Sequence, residues 1–73
     1  MRVLHLMKRD SPPAATVVVA RELQDPRAEI TVVLLDDAAP RLPPGLAVKR
    51  LGADLDHAKL LDLIFESDRV VTW

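Results

Sequence analysis

The chain has 73 residues, of which 49% are hydrophobic, and its formal net charge at pH 7 is −1. This length predicts one small domain, residues 1–73, with a single core, and the near-neutral charge disfavours nucleic acid or an anionic membrane surface as a partner. The absence of cysteine excludes thiol or persulfide chemistry by the chain's own side chains, and it excludes disulfides and cysteine-ligated metals.

The first half of the chain has the pattern of a strand, a helix and a second strand. Residues 3–7 form a short apolar run that predicts a strand. Ser11 and Pro12 then favour a helix start, because serine accepts from free N–H groups and proline has no N–H to leave unpaired. We expect this helix to end near residues 25–26. Residues 30–35 are apolar almost without interruption, which indicates a strand buried on both faces and therefore a parallel β-α-β unit.

The second half of the chain predicts a loop, a strand, a helix and a final short strand. Residues 36–45 contain three prolines and a glycine, which excludes a normal helix there. Residues 46–51 fit a third strand, and Asp54 or Asp56 is placed to cap a second helix. The apolar side of that helix is predicted to comprise His57 or Ala58, Leu61, Ile64 and Phe65, widened by Leu60 and Leu63. Residues 69–73 favour an edge strand.

These elements predict a small Rossmann-like α/β domain in two or three layers, with three or four mainly parallel strands and two helices. Two helices leave little material to cover both faces of a sheet whose central strand is apolar on both sides. We therefore expect a subunit interface to complete the burial. The residues expected at that interface are Phe65, Val71 and Trp73.

Polar residues that follow the first two predicted strands form a candidate ligand site. Ligands of parallel sheets collect beyond the carboxyl ends of the strands, and a helix start with cations beside it can hold an anion. Two alternatives remain open, since the same residues also fit a solvated cap and turn-forming aspartates, and with Asp10 they imitate an acidic Mg²⁺ cluster. The candidate ligand-binding residues are Lys8, Arg9, Ser11, Asp36 and Asp37.

Nothing in the sequence has the pattern of an active site. There is no cysteine and no G-x-S-x-G nucleophile motif, and His57 has no evident nucleophile to activate. His5 lies inside the first predicted strand, where a packed or edge-facing histidine is expected. We therefore expect no catalytic residue, no cofactor and no resident metal. The start of the chain lacks the apolar stretch of a signal peptide, and no apolar run approaches the roughly 20 residues of a membrane span, so a cytoplasmic location is expected.

Two segments at the ends of the chain carry a family resemblance. They are V-L-H-L-M-K-R-D-S-P, residues 3–12, and D-H-A-K-L-L-D-L-I-F-E-S-D-R-V-V-T-W, residues 56–73. They resemble the DsrH (TusB) branch of the DsrE/DsrF/DsrH sulfur-relay family, whose members begin with a strand carrying L-H before K-S-P and finish with a helix, a polar turn and a tryptophan. The matching positions are Leu4, His5, Lys8, Ser11, Pro12, Leu61, Leu63, Ser67, Asp68, Val71 and Trp73.

The resemblance implies a Rossmann-like subunit that assembles with DsrE-like and DsrF-like chains and passes persulfide sulfur during tRNA thiolation or sulfur oxidation. The sulfur-carrying cysteine of the family lies mainly on the DsrE-type subunit, so the resemblance implies a non-catalytic role here. Residues 36–45 stand where family members usually carry another helix and strand. A homo-oligomer of the same fold that binds a nucleotide or anion is therefore the alternative.

Overall fold

A computed structural model describes all residues of the chain, from Met1 to Trp73, and contains six regular elements. Their order agrees with the predicted order of strands and helices. The residues that join β2 to β3 contain neither helix nor strand, as their prolines predict. The elements are β1 (Arg2–Met7), α1 (Ala14–Glu22), β2 (Glu29–Leu34), β3 (Ala47–Arg50), α2 (His57–Glu66) and β4 (Arg69–Thr72).

The four strands form one parallel sheet in the order β3-β2-β1-β4. Six residue pairs join β1 to β2, from Arg2 opposite Glu29 to Met7 opposite Leu34. The chain therefore builds outward from β1 to β3 on one side and then crosses to the other side of β1 to add β4. This arrangement confirms the predicted α/β class with a parallel sheet and two helices.

The sheet separates two layers of helix, so the domain has three layers. Alternate residues of a strand point to opposite faces. Val3, Met7 and Val32 pack with Ala15 and Val19 of α1 in the α1-side core. Leu4, Val33 and Leu55 form the smaller α2-side core, against which three residues of α2 pack. Those residues are Leu60, Leu63 and Ile64.

The central strand β2 is shielded from water within the single chain. Ile30, Val32, Val33 and Leu34 are all buried. The additional cover comes from connecting segments rather than from helices: Leu42 and Leu46 pack on the α1 side, and Leu51 and Leu55 pack on the α2 side. The expectation that a partner must complete the burial of this strand is therefore wrong.

The start of α1 differs from the prediction. The helix begins at Ala14, Pro13 occupies the cap position, and no side chain caps the helix. The Ser11 hydroxyl instead accepts from the backbone N–H of Lys8 at 2.9 Å and closes a turn. The two prolines that follow Ser11 have no N–H to donate to its hydroxyl. The hydroxyl therefore accepts from a residue that precedes it in the chain. The helix ends at Glu22, earlier than expected, and a short run of turns leads into β2.

The start of α2 agrees with one of the two predicted caps. Asp56 accepts a hydrogen bond from the backbone N–H of Lys59 at 2.9 Å. Asp54 has another role, since its carboxylate accepts from the backbone N–H of Arg50 at 2.7 Å and closes the turn after β3. Gly52 lies in this turn with φ of 93°, a conformation that side chains disfavour. Neither helix is long enough and apolar enough to cross a membrane.

The apolar side of α2 is rotated relative to the predicted one. Leu60, Leu63 and Ile64 face the core, whereas Leu61 and Phe65 are 51% and 79% exposed. A helix turns about 100° per residue, so the inward and outward residues form adjacent stripes. The apolar residues of the sequence occupy both stripes, but only one stripe packs against the sheet.

Candidate functional site

The largest cleft of the domain lies at the carboxyl ends of β1 and β2, beside the start of α1. Its volume is about 440 Å³, within the size range of small-molecule sites. Four of the five candidate ligand residues line it, namely Lys8, Arg9, Ser11 and Asp37. Apolar and hydroxyl groups complete the wall, contributed by Met7, Pro12, Pro13, Ala15, Thr16, Ala38, Ala39 and Pro40.

Asp36, the fifth candidate, holds the cleft loop in place rather than pointing a free carboxylate into the cleft. One of its oxygens accepts from the backbone N–H of Arg9 at 3.1 Å, and the other accepts from the N–H of Ala38 at 2.9 Å. The hydrogen bond from Arg9 lowers the pKa of the Asp36 carboxyl below its ordinary value of 3.8, against a smaller opposing effect of desolvation. The N–H of Ala38 and the charges of Arg9 and Arg50 lower it further.

Arg50 fastens the same loop from the opposite side, and sequence reasoning did not identify it. Its guanidinium donates to the carbonyl oxygen of Asp36 and to that of Ala38, the latter at 2.7 Å. Arg50 ends β3, next to β2 in the sheet, so the sheet order brings it to this loop. No sequence pattern links residue 50 to residues 36 and 38.

The cleft offers two cationic groups that are exposed and only loosely paired. The Lys8 ammonium lies 3.9 Å from the Asp10 carboxylate, and the Arg9 guanidinium lies 3.4 Å from that of Asp37. Such exposed pairs contribute little to stability and separate readily. Lys8 and Arg9 are the two cations of the cleft, and Asp37 is the carboxylate that lines it with them. No cluster of three or more potential metal-ligating side chains is present, so the acidic Mg²⁺ arrangement is not formed.

A second polar group lies inside the domain, on the α1 side of the sheet. His5 is 0% exposed, and its Nε2 lies 3.0 Å from an oxygen of Glu22. Its Nδ1 accepts a hydrogen bond from the indole N–H of Trp73 at 3.0 Å. The two ring planes differ by 14°. Of the two predicted alternatives, a packed or an edge-facing histidine, His5 is the packed one, and both of its ring nitrogens are paired.

The three predicted interface residues lie in different environments. Phe65 is strongly exposed, Val71 is half-buried, and Trp73 is half-buried against the α1-side core. Because Trp73 already packs on its own domain and bonds to His5, its ring is not a free anchor in this structure. Of the three, only Phe65 belongs to the exposed apolar surface.

Three exposed apolar side chains lie on the α2 side of the sheet, and we name them the α2/β4 surface: Leu61 and Phe65 of α2 and Val70 of β4. Lys59 and Asp62 line a hollow together with Lys49 of β3, so that flank of α2 faces β3. Leu61 and Phe65 lie on the exposed side of α2, and β4 is the edge strand at the other side of the sheet from β3. Val70 pairs with Leu4, whose side chain belongs to the α2-side core, and Val70 is 38% exposed.

Comparisons with known proteins found no matching family model, no matching curated protein and no matching solved structure.

Proposed function

We propose that this chain is a non-catalytic assembly subunit that binds a second polypeptide through the α2/β4 surface. The observation that carries the proposal is the exposure of Phe65, the only phenylalanine of the chain, one helical turn from exposed Leu61. Aromatic side chains supply much of the energy of protein interfaces. The outer edge of β4 adds backbone groups that are free to pair with another strand.

The proposed assembly is a sulfur-relay complex of the DsrEFH or TusBCD type. Its support is the resemblance of residues 3–12 and 56–73 to the DsrH branch. Those two segments are neighbours in the fold, because β1 pairs with β4 and Trp73 bonds to His5. A partner of this kind must provide the reactive cysteine, since this chain has none. The proposed process is tRNA thiolation or sulfur oxidation.

Mass measurement in solution tests the assembly. The chain is studied alone and with the DsrE-type and DsrF-type proteins of the same genome, by light scattering over a range of concentrations. We expect a complex that Phe65→Ser weakens by about 2 kcal/mol, or roughly 30-fold in Kd. Val17→Ser is the matched control, because Val17 is 58% exposed on the outer side of α1.

Two results would contradict the assembly proposal. One is a monomer that forms no complex with itself or with those proteins at any attainable concentration. The other is an equal loss of binding in Val17→Ser and Phe65→Ser, because that result would remove the role of the α2/β4 surface. A complex with itself alone, lost in Phe65→Ser, would support assembly through this surface and reject the sulfur-relay partners.

A second candidate function is the binding of a small anionic ligand, such as a nucleotide, and the observation that favours it is the cleft beside Lys8 and Arg9. Thermal unfolding with inorganic phosphate and a nucleotide panel tests it. A ligand present at about 100 times its Kd adds roughly 2.7 kcal/mol, which raises the Tm of so small a domain by roughly 10 °C or more. Arg9→Gln should reduce the rise, whereas Lys49→Gln, a cation away from the cleft, should leave it unchanged. Absence of any rise would exclude this function for the compounds tried.

A further inference from the structure

The contact between His5 and Trp73 depends on the protonation state of the imidazole. An indole N–H only donates, so His5 Nδ1 must carry a free lone pair to accept it at 3.0 Å. The ring proton then resides on Nε2, which donates to the Glu22 carboxylate at 3.0 Å. One neutral tautomer therefore satisfies both neighbours, and no other neutral arrangement does.

A second proton on His5 would act differently on the two neighbours. The carboxylate of Glu22 accepts only, so its attraction to the ring would increase when the ring becomes a cation. Trp73 would meet an N–H where it now meets a lone pair, and two donors cannot share one hydrogen bond. Trp73 is therefore the neighbour that has to move.

Few other charged groups lie near this ring. The register places Val32 of β2 and Val71 of β4 beside His5, and neither titrates. On α1 the facing group is Glu22, which lines a shallow hollow with Asp25 and with Arg69 of β4. Met1 also lines the hollow, and its N-terminal ammonium donates to the carbonyl oxygen of Arg27. Of these charged groups, Glu22 is the one bonded to the ring.

We propose that His5, Glu22 and Trp73 form a proton-controlled latch: protonation of His5 releases the Trp73 ring from the α1-side core, and deprotonation docks it again. Release would detach the end of β4 and expose an aromatic side chain able to anchor a partner. Histidine is the side chain that ordinarily changes charge near physiological pH, which makes it suited to such a device. This proposal does not depend on the proposed function.

Fluorescence of Trp73 tests the latch, since the chain contains no other tryptophan and no tyrosine. As the pH falls, we expect a reversible shift of the emission maximum to longer wavelength and greater quenching by acrylamide, while the far-ultraviolet circular dichroism keeps its helical signal. These two readouts report solvent exposure, so simple quenching of the indole by a nearby imidazolium does not imitate them. His5→Gln should abolish the transition, and His57→Gln, which removes the other and exposed histidine, should leave it unchanged.

Glu22→Gln provides a second test that does not require His5 to be replaced. The amide retains an acceptor for Nε2 but removes the charge that favours the imidazolium, so the transition should move to lower pH. The latch is rejected if Trp73 stays protected until the helices unfold, or if the transition persists in His5→Gln. If His5→Gln does not fold, a transition that fails to move to lower pH in Glu22→Gln rejects it.

Discussion

At the scale of single residues, Asp36 and Arg50 together determine the shape of the loop after β2. Asp36 accepts two backbone N–H groups, and Arg50 donates to two backbone carbonyl groups of the same loop. Their contacts position Ala38, which is buried in the α1-side core, and they place Asp37 at the cleft. Asp36 is therefore a structural residue next to the candidate site, although the sequence grouped it with the ligand-binding candidates.

The lowered pKa of Asp36 predicts how its contribution to stability depends on pH. A carboxyl whose pKa is lower in the folded state stabilises the fold above its ordinary pKa of 3.8, and this contribution is lost as the pH falls toward the folded value. We expect Asp36→Asn to lower the urea midpoint at pH 7, and we expect its difference from the wild type to shrink below pH 4. Urea titrations across this pH range measure both effects.

Asp37→Asn is the control for that experiment, because its carboxylate lies on the same loop and reaches only the exposed guanidinium of Arg9 at 3.4 Å. Its urea midpoint should stay close to that of the wild type at both pH values. A loss in Asp36→Asn that is equally large in acid would show that the carboxylate charge is not the cause.

At the scale of the elements, the two helices begin in different ways. Asp56 caps α2 through a hydrogen bond from the Lys59 N–H, whereas α1 begins at two prolines with no side-chain cap. In α1, burial of Ala15 and Val19 compensates for the missing side-chain cap. In contrast, α2 has no fully buried residue. We infer that α2 depends more on its own cap than α1 does.

Removal of the α2 cap should therefore be measurable. Asp56→Ala should lower the free energy of unfolding by about 1 kcal/mol, because a helix N–H loses its acceptor. That loss is significant for a domain of this length, whose total stability is expected to be roughly 4 to 11 kcal/mol. Urea unfolding followed by circular dichroism measures the change.

Asp62→Ala serves as the control for the cap. Asp62 is exposed on α2 and caps nothing, and alanine has the higher helix propensity, so no loss is expected. An equal loss in both variants would mean that general charge effects, and not the cap, stabilise the helix.

At the scale of the whole molecule, the domain covers its central strand without a partner. The connection between β2 and β3 covers one side of the strand with Leu42 and Leu46. The turn after β3 covers the other side with Leu51 and Leu55. These segments provide cover that the sequence analysis expected from another subunit. Three of the exposed large apolar side chains lie on α2 and on the edge strand β4, and the others are Met1, Val17 and Val48. An assembly through the α2/β4 surface would bury additional apolar area outside a core that the single chain already shields from water.

The local sequence pattern by itself determined the order of the elements, the parallel β-α-β unit, a cap of α2 at Asp54 or Asp56, and the loop over residues 36–45. These depend on interactions between residues close in the chain, on hydrophobic periodicity and on the backbone limits of proline. It also placed Lys8, Arg9, Ser11 and Asp37 at one edge of the sheet, since parallel strands end at the same edge.

Only the tertiary structure decided which stripe of α2 faces the sheet, how β2 is covered, and that β4 lies beside β1. It also decided the pairing of His5 with Trp73 and of Arg50 with the loop after β2. These contacts join residues far apart in the chain, and they follow from the strand order. The strand order depends on which arrangement of the whole chain has the lowest free energy. A local sequence pattern carries no information about the free energies of the alternative arrangements.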